Sequence, residues 1–244
     1  MYELELDKFK DKIKFLDGKT AFEVGSQLIE IQLSAKKPIW FLTVNLELVS
    51  RYYESPQYKT LIMKNSFACA DGWPIALYLS ITCQSRVRKI SGVDLTYSIL
   101  NDFPSISSVF IIGGYSLENL KTQNNIKLTH FSELIDIQDS QFASNLIDKI
   151  KTERPQVILV ALGMPKQDEL ACLFVERLDY NPIIIGVGGS IDFLTHFKKR
   201  SPVFVRLIGM EWLYRLWSEP RRLWKRYLVM YPVGALKFLL SRFC

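Results

Sequence analysis

The feature that most limits what this chain can fold into is an alternation. Five short, β-rich apolar runs each stop at Gly, Asn or Asp, and a helical pattern separates most of them from the next. Ile39–Val44 leads into Asn45, Phe67–Ala70 into Asp71-Gly72, and Val109–Ile112 into Gly113-Gly114. Val157–Leu162 leads into Gly163, and Ile183–Val187 into Gly188-Gly189. None of the runs alternates polar with apolar residues, so each reads as a strand buried on both faces, as in a parallel sheet. Helical patterns fall at roughly 21–34, 47–55, 57–64, 74–79, 93–101, 141–153 and 166–177. The order predicts an α/β fold: a Rossmann-like layered parallel sheet with crossover helices. Ligands of such sheets bind beyond the carboxyl ends of the strands. The strand-end turns are therefore the places to look for chemistry.

At Pro202 the texture changes. The reading is an α/β core over residues 1–201 and a helical appendage over 202–244. Three helices, each with proline near its start, are expected at Pro202–Tyr214, Pro220–Met230 and Pro232–Phe243. The charge divides at nearly the same place. Residues 1–195 hold 20 Lys and Arg against 23 Asp and Glu, whereas residues 196–244 hold 11 against 2. Trp212, Trp217 and Trp224 lie in this basic tail with Tyr214, Tyr227 and Tyr231. A basic, aromatic-rich helical segment suits an anionic partner, and a membrane interface is the reading preferred over aromatics simply packed on the core.

Several classes are excluded. At 48% hydrophobic residues the chain can bury a sizeable core, against a disordered reading. No apolar stretch reaches a membrane-spanning length, and the N-terminus lacks the apolar core of a secretory signal. Cys69, Cys83, Cys172 and Cys244 form no C-x-x-C pair and only two histidines occur, which argues against structural zinc and points to a reducing compartment. His130 reads as a surface loop residue and His196 as a turn residue.

The strand-end turns offer four constellations. Thr43 and Asn45 lie two apart at a strand end and can share a face, although Asn45 equally suits a helix N-cap. Asp71 follows an apolar run; partial burial would raise its pKa and make it a general base, while the plain alternative is a turn residue. Gly113-Gly114 and Gly188-Gly189 expose backbone N–H groups of the kind that hold phosphate or ribose, or are simply tight turns. Neither is a full G-x-G-x-x-G, which weakens a dehydrogenase reading, and no Walker A sequence occurs. In Leu162-Gly163-Met164-Pro165-Lys166-Gln167 a lysine sits in the first turn of a helix, against the helix dipole, so Lys166 either meets an anion or is merely exposed. No D-x-D pair is present to hold a divalent cation at a diphosphate, so no metal or other cofactor is expected. Arg215, Arg221, Arg222 and Arg226 of the tail could neutralise one instead.

Taken together these stretches resemble the WecG/TagA/CpsF family of bacterial glycosyltransferases. The matching segments are Thr43–Val49, Ala70–Ala76, Arg86–Leu95, Phe110–Gly114, Val160–Gln167, Gly186–Pro202 and Gly209–Val229. The resemblance implies a Rossmann-like enzyme at the cytoplasmic membrane face. Such an enzyme moves a sugar, with inversion, from a UDP-linked donor to a polyprenyl-diphosphate-linked acceptor for a surface polysaccharide. It further implies that Asp71 is the base, that Thr43, Asn45 and Gln167 belong to the catalytic site, and that the basic tail completes the site and binds membrane. One departure is Leu46, where the family usually has proline; this changes backbone restriction and not side-chain chemistry. The donor sugar is left open among N-acetylmannosamine, its uronic acid and a hexose, and a homo-oligomer is left open as well. The rival from another class is a non-catalytic, membrane-associated nucleotide-binding protein. A nucleic-acid partner would explain the tail but leave Asp71 and the Lys166-Gln167 turn without a role, so none is expected.

Overall fold

The computed structural model describes residues 1–5, 12–122, 125–133, 139–202, 204–205 and 209–243. Its centre is an eight-stranded sheet in the order β1-β2-β4-β3-β8-β7-β5-β6. The strands are β1 (Tyr2–Glu5), β2 (Lys12–Phe15), β3 (Ile39–Val44), β4 (Phe67–Ala70), β5 (Ser108–Gly113), β6 (Lys127–Phe131), β7 (Val157–Ala161) and β8 (Ile183–Gly186). Seven strands run parallel; β1 alone is antiparallel, paired with β2 at one edge. The five expected strands are all present. The edge strands β1 and β6, and β2 beside β1, were not expected, because their sequences mix charges among the apolar residues. His130 consequently lies on β6 and not in a loop, with its Nε2 3.0 Å from the Gly113 carbonyl oxygen.

Strand parity sorts the core into two layers. Trp40, Leu42 and Val44 of β3 face one way with Phe110, Ile112, Val160 and Ile184. On them pack α2 (Leu46–Glu54), α3 (Pro56–Ile62), α4 (Trp73–Thr82), α6 (Ser140–Glu153) and α7 (Lys166–Arg177). Ile39 and Phe41 face the other way with Val109, Ile111, Leu159 and Ile185. They meet α1 (Ala21–Ser34), α5 (Gly92–Asn101) and α8 (Ser190–Leu194). This sandwich is why the central strands are apolar without alternation.

The tail differs in detail from the expectation. Pro202–Tyr214 is not one helix: Gly209 takes a φ of +76° and α9 (Glu211–Ser218) starts only after it. There follow α10 (Pro220–Lys225), a π-helical turn (Arg226–Met230) and α11 (Tyr231–Phe243). The tail is docked onto α2. A Cβ on Gly234 of α11 would lie 1.9 Å from Ser50 Oγ, so only glycine permits this approach. Ser50 Oγ donates to the Met230 carbonyl at 2.8 Å. Among the described residues no helix is long and apolar enough to cross a membrane.

Candidate active site

A cleft of about 520 Å³ opens where the carboxyl ends of β3, β4 and β8 meet the tail. Its position follows from register. Val44 pairs with Ala70, so the next residues on each strand, Asn45 and Asp71, emerge side by side. The Asp71 N–H donates to the Val44 carbonyl at 2.8 Å, which holds the two strand ends together.

Asp71 and Asn45 both line the cleft, but they are held differently. Asn45 caps α2: its Oδ1 accepts from the N–H groups of Glu47 (3.0 Å) and Leu48 (3.2 Å). Its amide N–H₂ has no partner among the described residues. Thr43 is buried, with its Oγ1 3.5 Å from the Gly186 carbonyl oxygen. The Asp71 carboxylate is half-buried and makes no hydrogen bond to another described side chain. Burial raises its pKa to about 6, with Glu211 adding to the rise; Arg215 and Lys89 pull the other way. A carboxylate near 6 takes up a proton readily at neutral pH and is still mostly ionised there, as a general base must be.

Gln167, in the first turn of α7, is buried and reaches across to β8. Its Oε1 accepts from the Gly188 N–H at 3.0 Å. A Cβ on Gly186 would lie 2.7 Å from Gln167 Nε2, so the side chain sits directly on bare backbone. Gln167 thus fixes the Gly188-Gly189 turn, and both glycines line the cleft.

The tail supplies the cationic wall. Arg215 lines the cleft; one of its guanidinium nitrogens donates to Glu211 at 2.6 Å, and the group stacks 5.0 Å from the centre of the Phe193 ring. Arg226 also lines it, ion-paired with buried Glu47 on α2 and donating to the Tyr231 hydroxyl at 2.7 Å. Glu47 holds Arg51 as well, at 3.0 Å. The Arg226–Glu47 pair joins tail to core electrostatically, as does Lys198 with Glu219 at 3.9 Å.

The other sequence candidates fall elsewhere. Gly113 and Gly114 do not line this cleft; they turn the chain at the end of β5 with φ of +81° and +82°. Lys166 is exposed and, like Arg221, does not line the cleft. The side chain of Arg222 lies outside the described ones.

Glu47, Lys89 and Trp212 line the cleft but were not among the site candidates read from the sequence. Glu47 was hidden because a glutamate in the first turn of a helix is ordinary. Lys89 and Trp212 line the cleft and gave no signal beyond charge and aromaticity. Behind the cleft, Asp168 is fully buried and accepts from the Tyr58 hydroxyl at 2.7 Å. Burial pushes its carboxyl up to about 7. Its neighbour Gln167 was the conspicuous residue, and nothing local marks Asp168 as buried.

A family model, described as the glycosyl transferase WecG/TagA/CpsF family, matches residues 16–244. The match takes in β3 to β8 and the tail, and begins after β1 and β2.

Proposed function

The chain belongs to the WecG/TagA/CpsF glycosyltransferase family and is a glycosyltransferase of cell-surface polysaccharide biosynthesis; within that family we propose a UDP-sugar donor, a polyprenyl-diphosphate-linked acceptor, and inversion without a metal ion. The observation that carries this reading is a half-buried carboxylate, Asp71, with a pKa raised to about 6, facing a cleft whose other wall bears Arg215 and Arg226.

Asp71 takes the proton of the acceptor hydroxyl. The acceptor oxygen then bonds to the anomeric carbon from the face opposite the nucleotide. The bond from that carbon to the diphosphate breaks, and UDP leaves with the electron pair. Arg215 and Arg226 stabilise the charge that develops on the departing diphosphate, in place of a cation held by a D-x-D pair. Asn45 presents its free amide donors to the sugar or to the incoming hydroxyl, and Thr43 supports it from β3. Gln167 keeps the Gly188-Gly189 backbone in position to bind donor. The donated sugar is N-acetylmannosamine, its uronic acid or a hexose. Residues 202–244 act as an appendage that completes the site and holds the enzyme at the inner face of the bacterial cell membrane, where a lipid-linked acceptor resides.

The test is UDP release from a panel of UDP-sugars with a short-chain polyprenyl-diphosphate-sugar acceptor, in EDTA, for wild type and Asp71→Asn. Acceptor-dependent release by wild type that is lost in the variant is the expected result. UDP binding without release for any donor and acceptor pair favours the binding-only alternative.

A further inference from the structure

Helix α4 is apolar on the wrong side. Its ten residues, WPIALYLSIT, include no charged group. Ile75, Ala76 and Leu79 are buried against the sheet. On the opposite face Trp73, Leu77 and Ile81, spaced four apart, form a straight stripe exposed to 52%, 52% and 69%. A water-facing helix of a globular protein carries polar residues on that side, and one apolar all round is ordinarily buried on every side.

What covers the stripe is indicated by its surroundings. Two residues before α4 stands Asp71, so the stripe begins at the mouth of the cleft. Trp73 itself lines the cleft, and its ring lies against Gly209, which leads into the basic tail. At the other end of α4 the chain turns into a basic loop. Arg86 and Arg88 are exposed there and form no ion pair with a described residue. An apolar strip bordered by unpaired arginines at one end and by a basic, tryptophan-rich segment at the other complements an anionic lipid surface. A second copy of the chain would bring the same arginines to the same face.

We propose that α4 is a bilayer-contacting element of the α/β core itself: Leu77 and Ile81 enter the interfacial region, and Arg86 and Arg88 engage anionic headgroups. The contact is additional to the tail and sets the orientation of the molecule, with the Asp71 cleft opening toward the lipid surface. This rests on the membrane-facing part of the function proposed above.

The experiment uses the full chain and vesicles of phosphatidylglycerol with phosphatidylcholine, or of phosphatidylcholine alone. Leu77→Ser/Ile81→Ser and Arg86→Gln/Arg88→Gln are compared with wild type by vesicle co-sedimentation, circular dichroism and sedimentation velocity. Both pairs leave Trp73 and the tail intact. Removing two interfacial aliphatic side chains should weaken vesicle binding by about tenfold or more. The arginine pair should lose mainly the preference for phosphatidylglycerol vesicles. UDP release with a water-soluble acceptor should be unchanged in both. Unchanged vesicle binding by the folded Leu77→Ser/Ile81→Ser variant overturns the proposal. So does a shift of that variant from dimer to monomer, which would assign the stripe to a second copy. Absence of UDP release by wild type would count against the transferase reading alone, because vesicle binding is read independently.

Discussion

Replacing Asp71 by asparagine should make the protein more stable and nearly inactive, and the two effects should have different pH dependences. A carboxyl raised from 3.8 to about 6 by folding carries about 3 kcal/mol of penalty when ionised. Asp71 is open to the cleft on one side, and screening by water reduces this to roughly 1–2 kcal/mol. The penalty fades as pH falls below 3.8, where the group becomes neutral folded and unfolded alike. It grows as pH rises through the interval to about 6 and is complete above it. Asparagine never ionises, so the variant should gain the whole amount at pH 8 and almost none near pH 4. For a chain of this size that is a rise in Tm of roughly 2–8 °C at pH 8. Turnover at the same pH should fall by about 10²–10⁴-fold if the carboxylate is the base. Differential scanning fluorimetry across pH, run beside UDP release, reads both. Near-normal turnover with intact folding refutes the base assignment. A variant no more stable than wild type at pH 8 refutes the claim that burial raises the Asp71 pKa.

The acidic limb of the wild-type kcat/KM profile should lie near the Asp71 pKa, with activity falling as pH drops below about 6. Arg215→Met should move that limb to higher pH and Glu211→Gln to lower pH, because the arginine favours the ionised carboxylate and the glutamate opposes it. If both variants shift the limb the same way, another group sets it. Gly234→Val puts carbon where Ser50 now sits, so α11 should lift from α2 and limited proteolysis should clip the tail while the core persists. A tail that stays protected would mean that the helices do not pack at Gly234. Gly186→Ala drives Gln167 off the Gly188 N–H, and kcat/KM should fall by about 10–100-fold with little loss of secondary structure, checked by UDP release and circular dichroism.

The identity of the family was available from short motifs because their residues are fixed by local backbone geometry. Each strand run ends at a residue that breaks a strand, and β3, β4, β5, β7 and β8 came out within a residue or so of where the apolar runs lie. Asp71, Asn45 and the Gly188-Gly189 turn were conspicuous because each stands directly at such an end. The helices α1 and α7 were readable from periodicity in the same way. Edge strands were not: β6 is paired on one side only and its residues are half-exposed, so burial never imposed an apolar run on it.

Distance in sequence decides the remainder. Nothing in residues 202–244 says that Arg215 and Arg226 arrive at the cleft while Arg221 does not line it. That outcome depends on the helix break at Gly209 and on the close approach of Gly234 to Ser50. Nothing local marks Glu47 either; its burial and its pairing with Arg226 come from the packing of the tail on α2. The pKa of Asp71 is likewise a tertiary quantity, because burial requires the tail to cover the strand end. The alternation, the strand-end turns and the charge of the tail are legible in the residues alone, since these are set by near neighbours. Which charges face the cleft, and which apolar face α4 leaves uncovered, depend instead on what long-range packing places opposite them.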